Sequence, residues 1–149
     1  MKEILLRVLM LVIAVAFVAA VLFVIGMSAT ASTTFEYTED EVDLLAGLIA
    51  AEARGESYDG KLAVGTVVMN RLDSERWGVS IQSVIYSKNQ FAKPKREYSE
   101  ECLLAAIEVL DGFRSFPETI LFFKTSKQAR WRNAVWHCTI GNHNFYREE

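Results

Sequence analysis

From Val8 to Gly26 the chain carries no charged residue, and none follows until Glu36, whereas Lys2 and Arg7 stand ahead of the run. A spanning helix needs about 20 apolar residues and a signal-peptide core about 7–15, so the run predicts one N-terminal hydrophobic helix nearer the anchor length. Ala29-Thr30-Ala31 also fits a small-x-small cleavage site, which keeps a cleaved signal peptide open. Residues 1–27 are thus read as anchor or signal, and 28–37, small and hydroxyl-rich, as a tether. The basic N-terminal flank predicts that residues 38–149 lie outside the cytoplasm, tethered to the membrane or secreted.

The pattern then turns helical. Thr38-Glu39-Asp40-Glu41 is a capping-box motif with acids in the first turn, where the helix dipole favours them. Val42, Leu45, Leu48 and Ile49 recur at spacings of three and four, and the same stripe continues onto Glu52. Gly55 predicts a left-handed helix end just beyond it. A second helix over Tyr58–Leu72, dense in Leu62, Val67, Val68 and Met69, predicts the central buried helix, with Gly60 and Gly65 allowing close packing. A short helix near Ile81–Tyr86 and another over Glu100–Leu110, headed by Ser99 and stopped by Asp111-Gly112, follow. After Pro117 the period changes. Thr119–Lys124, Thr139-Ile140 and Asn144–Tyr146 are short, β-branched and aromatic, with Gly141-Asn142 placed for a hairpin turn or bulge. The fold class is α+β: helices first, a small antiparallel sheet last.

Beyond residue 31 the chain holds 14 Lys and Arg against 18 Asp and Glu, a net charge of −4, and is long enough for one compact domain. That balance excludes a nucleic-acid footprint. Lys88, Lys93, Lys95 and Arg96 do cluster. They read as a solvated loop, or as a place where an anionic polymer could be steered. Cys102 and Cys138 can form one disulfide or remain free thiols. With His137 and His143 alone and no His-Glu-x-x-His pattern, a zinc amidase lacks its ligands, and neither metal nor cofactor is expected. A Cys–His peptidase has no local support.

Glu52 stands out chemically. It sits in an apolar stripe at a helix C-terminus, where desolvation and the negative dipole end both favour a protonated carboxyl, the form a general acid needs. Arg54 pulls the other way, and pairing with Arg54 or Arg71 is the structural alternative. For binding, Trp131, flanked by Arg130, Arg132 and Asn133, suits a sugar platform. Gln90-Phe91 offers an amide beside an apolar face. Asn70 and His143 complete the candidate substrate contacts, each with a structural alternative as helix cap or hairpin member.

Glu52-Ala53-Arg54-Gly55-Glu56, then Gly60-Lys61-Leu62-Ala63-Val64 and Val68-Met69-Asn70-Arg71, resemble the opening signature of the bacterial spore cortex-lytic, or cell wall hydrolase, family. The likeness runs on through Val84-Ile85-Tyr86, Gln90-Phe91 and Ile140 to Tyr146. Phe91 to Ser99 is shorter and more basic than that family's pattern. The resemblance implies a lysozyme-like division between helices and sheet. It also implies a peptidoglycan substrate, with Glu52 as the acid/base that cleaves between N-acetylmuramic acid and N-acetylglucosamine. A hydrolase normally uses a second carboxylate, for which Glu56, Asp59 and Asp73 are candidates. A lytic transglycosylase needs only one, and the resemblance favours it, with a hydrolytic muramidase or a non-catalytic wall-binding protein as alternatives. No regulatory partner is legible.

Overall fold

The computed structural model describes residues 1–2, 4, 7, 10, 12–17, 37–125 and 133–149. The chain forms two compact units, Met1–Thr34 and Phe35–Glu149. In the first, Lys2, Ile4, Arg7, Met10 and residues 12–17 are helical and exposed. Among the described residues no helix is long and apolar enough to cross a membrane. The expected helix over 1–27 is therefore described only in part, and most of the tether over 28–37, like Trp131, lies outside the described residues.

The second unit has four helices, α1 (Glu39–Glu52), α2 (Tyr58–Asp73), α3 (Ile81–Ile85) and α4 (Glu100–Leu110), and then three strands, β1 (Ile120–Thr125), β2 (Ala134–Ile140) and β3 (His143–Glu148). The Thr38 capping box forms in full. The Glu41 amide donates to Thr38 Oγ1 at 3.3 Å, and the Thr38 amide donates to Glu41 Oε2 at 3.0 Å. Two sequence expectations are corrected. Gly55 is not among the glycines at positive φ; α1 instead closes on Ala53, at φ −127°, whose amide returns to the Ile49 carbonyl. Ser99 begins α4 but caps it with no side-chain bond, because its hydroxyl donates to Cys102 Sγ at 3.3 Å.

α2 is buried from Gly60 to Arg71. One side of it joins α1, α3 and α4 in a cluster that includes Leu48, Val64, Val68, Ile81 and Val109. The other side gives Ala63 and Val67 to a second cluster with Phe116, Ile120 and Phe145, under the sheet. Gly65 makes the first contact possible: a Cβ there would stand 3.2 Å from Val109 and 3.4 Å from Ile49. The sheet is antiparallel in the order β1-β3-β2, so the last strand is its centre. Gly141, at φ 56°, and Asn142 turn β2 into β3. Cys102 and Cys138 are both free.

Candidate active site

Glu52 is the last residue of α1, half-buried. Its Oε1 accepts the backbone amide of Ala92 at 2.5 Å, and its Oε2 has no hydrogen-bond partner among the described residues. The Ala92 segment is held against α1 at a second point, where the Lys95 amide donates to the Gly47 carbonyl at 3.0 Å. Glycine is required at 47, since a Cβ there would run into the Lys95 carbonyl. Residues 92–95 thus lie along α1 and present one main-chain donor to its terminal carboxylate.

Beside this carboxylate lies a buried cation. Arg71 is 3% exposed; its Nε donates to the Leu121 carbonyl at 2.7 Å, while Nη1 has no hydrogen-bond partner among the described residues. Its guanidinium stands over the rings of Phe91 at 4.4 Å, Trp77 at 4.8 Å and Phe122 at 5.6 Å, an arrangement suited to its planar charge. Burial pulls the guanidinium down to about 10, against the pull of the Glu52 charge, and so Arg71 stays a cation at neutral pH. Neither Arg71 nor Arg54 forms an ion pair with Glu52 among the described residues. Arg54 is exposed.

An aromatic path leads from this point to the sheet. Phe91 packs on Phe123 at 6.1 Å, and Phe123 meets His143 edge-on at 5.1 Å. His143 is buried, with Nδ1 3.9 Å from Glu56 Oε1. Glu56 has a task of its own. Its Oε2 accepts the Asn142 amide at 2.9 Å and its Oε1 the Asn142 side-chain Nδ2 at 3.0 Å, which locks the β2–β3 turn to the loop after α1. Gly141 is needed there because any Cβ would strike that carboxylate. Desolvation opposes the Glu56 anion, but the two bonds from Asn142, with His143 and Lys61 nearby, outweigh it and hold the carboxyl below its usual range. Lys61, itself buried, ties down the same loop by donating to the Glu56 carbonyl at 2.6 Å and pairing with Glu101 at 3.0 Å.

The structure therefore brings Glu52, Phe91 and His143 into one connected region. Gln90 adjoins it, half-buried, with Nε2 donating to the Lys88 carbonyl at 3.3 Å. Asn70 is 1% exposed and spends its amide on the Pro117 and Ile120 carbonyls, at 2.9 and 3.0 Å, which fastens α2 to the start of β1. Asp59 is exposed in the first turn of α2, and Asp73 pairs with Arg114 at 3.5 Å at its other end. The Ala92 amide was invisible to side-chain patterns. The aromatic cage of Arg71 joins Trp77, Phe91 and Phe122 from separate elements.

The family described as cell wall hydrolase matches residues 55–146, a span that begins just past Glu52. A spore cortex-lytic enzyme of Oceanobacillus iheyensis is 36% identical over 92 residues, covering 58% of this chain and 33% of that protein. The cell wall hydrolase CwlJ of Bacillus subtilis is 32% identical over 124 residues, covering 73% of this chain and 86% of that protein. The chain thus spans about a third of the Oceanobacillus relative's length and most of CwlJ. In structure it resembles the catalytic domain of the Bacillus cereus SleB protein, at a TM-score of 0.69 and 21% identity over 80% of this chain and 99% of that one. At that identity the likeness establishes the helix-then-sheet fold.

Proposed function

The chain belongs to the cell wall hydrolase family, and on that premise we propose that it cleaves the glycan strand of peptidoglycan as a lytic transglycosylase, with Glu52 as its acid and then its base. In this reading the proton on Glu52 Oε2 passes to the oxygen between muramic acid C1 and glucosamine C4. The C1–O bond breaks and the glucosamine leaves with its 4-hydroxyl restored. The Glu52 carboxylate then takes the proton from the muramic acid's own 6-hydroxyl as that oxygen attacks C1, closing a 1,6-anhydro ring. Glu52 ends protonated, ready for the next strand.

The observation that carries the proposal is the division of labour at Glu52: Oε1 is occupied by the Ala92 amide and Oε2 has no hydrogen-bond partner among the described residues, so one oxygen orients the group and the other can move a proton. Among the described residues, two of the three candidate second carboxylates are engaged elsewhere, which favours transglycosylation over hydrolysis. Glu56 is engaged by Asn142, Asp73 by Arg114, and Asp59 lies exposed at the start of α2. Phe91, Gln90 and His143 are proposed to contact sugar, and Trp131 is proposed as a further platform. We also propose that the apolar N-terminal segment holds the domain outside the cytoplasmic membrane.

The test is mass spectrometry of products released by the detergent-purified full chain from vegetative peptidoglycan and from spore cortex. Anhydro-muramic ends are expected, and reducing muramic ends would mean hydrolysis. Glu52→Gln keeps an acceptor for the Ala92 amide and is expected to lower release by about 10²- to 10⁴-fold. Undiminished release by that variant would remove Glu52 from the reaction.

A further inference from the structure

The loop that delivers Ala92 to Glu52 continues along α1 and forms one wall of a separate cleft. This cleft, about 450 Å³, is lined on the loop side by Lys93, Lys95 and Arg96 and on the helix side by Asp40 and Asp43. Its volume lies in the range of small-ligand sites, about 300–1,000 Å³. Tyr98 also lines it, its hydroxyl donating to Asp43 Oδ1 at 2.5 Å, and Tyr86, Leu44 and Pro94 add apolar surface. The three cations are exposed and form no ion pair or side-chain hydrogen bond among the described residues, so their charge is available to a ligand. Asp40 is likewise unpaired.

Opposite charges facing each other across one cleft select a ligand that carries both. From Glu52 back to Asp43, α1 descends about 14 Å at about 1.5 Å per residue. An extended tetrapeptide spans about 13 Å at about 3.3 Å per residue. A peptide hung from a sugar held at Glu52 therefore reaches this cleft along the 92–96 segment. We infer that the cleft between α1 and residues 93–98 binds the zwitterionic stem peptide of peptidoglycan, its carboxylates on Lys93, Lys95 and Arg96 and the free amine of its diamino acid on Asp40 and Asp43. The inference rests on the proposed action on peptidoglycan. A wall polymer bearing phosphates alone would meet the cations but also Asp40 and Asp43, which disfavour it.

The experiment compares the full chain with a Lys93→Gln, Lys95→Gln, Arg96→Gln triple variant, all three side chains being exposed and outside the core. Each is given glycan strands with stems intact and strands stripped by an amidase, and each is dialysed against labelled L-Ala-γ-D-Glu-meso-diaminopimelate-D-Ala. The parent chain is expected to cleave stem-bearing strands with a kcat/KM roughly ten-fold above stripped ones, a preference equal to about 1.4 kcal/mol. The triple variant should lose the preference and lose tetrapeptide binding; acetylating the peptide's amine should weaken binding to the parent. Equal cleavage of both strands by the parent chain overturns the stem site and leaves the proposed reaction standing. If neither strand is cleaved, the proposed reaction fails, and dialysis alone decides the site: binding lost in the triple variant supports it, and no binding to the parent refutes it. Tighter binding of a glycerol-phosphate polymer than of the tetrapeptide would reassign the cleft to a polyanion.

Discussion

Two carboxylates four residues apart receive opposite assignments from their surroundings. Glu52 ends a helix with one oxygen unbonded among the described residues, while Glu56 accepts two bonds from Asn142 and is held as an anion. A carboxyl whose folded value lies below its usual 4.5 stabilises the fold fully above that value and loses the contribution as pH falls through the folded value. Glu56→Gln can accept only one of the two Asn142 bonds and sets an amide donor against the other, so it should cost about 1–3 kcal/mol at neutral pH. Denaturant unfolding across the acid range should show the parent losing stability toward low pH and the variant changing less, the two curves converging. Glu52 stood out in the sequence because an acid in an apolar stripe breaks the helical pattern, and its half-buried place at the end of α1 follows from that stripe. The role of Glu56 was not, because its partner Asn142 lies 86 residues away and half of the interaction is a backbone amide. Arg71 could be singled out but not placed, since the three rings around it come from different parts of the chain.

At the scale of elements, local signals served the helices well. The Thr38 capping box and the dense apolar run of α2 mark their boundaries because the interactions responsible lie within a few residues. The sheet was legible only at its turn. Residues 134–138 of β2 carry no clean alternation, since this is an edge strand with Trp136 and His137 exposed and a register shift between Trp136 and Cys138. The seating of the 92–95 segment on α1 depends on a missing side chain. Gly47→Ala should raise intrinsic helix propensity by about 1 kcal/mol yet destabilise the protein by about 1–3 kcal/mol, because the new methyl group displaces the Lys95 carbonyl. Thermal unfolding together with product release checks this. Activity should fall along with stability, since a displaced loop also takes the Ala92 amide from Glu52.

Across the whole of Phe35–Glu149, α2 is shared by both clusters, with Val64 and Val68 facing the helices and Ala63 and Val67 the sheet. Neither cluster keeps its packing without that helix. Val67→Ala, although it touches the sheet side, should therefore lower the transitions seen by far-ultraviolet dichroism and by tryptophan fluorescence together, by about 1–2 kcal/mol. Two separate transitions would contradict the shared helix. With Cys102 and Cys138 free, a reductant should leave the unfolding midpoint where it is, and both thiols should react with a chromogenic disulfide once the chain is denatured. The order of the strands carries a last consequence. Because β3 lies between β1 and β2, the sheet has no centre, Arg71 no stable Leu121 acceptor and Glu56 no Asn142 until residues 142–148 have been made. A chain emerging from synthesis therefore cannot assemble the surroundings of Arg71 and Glu56 in stages: the helices come first, and both groups wait for a strand made after all of them.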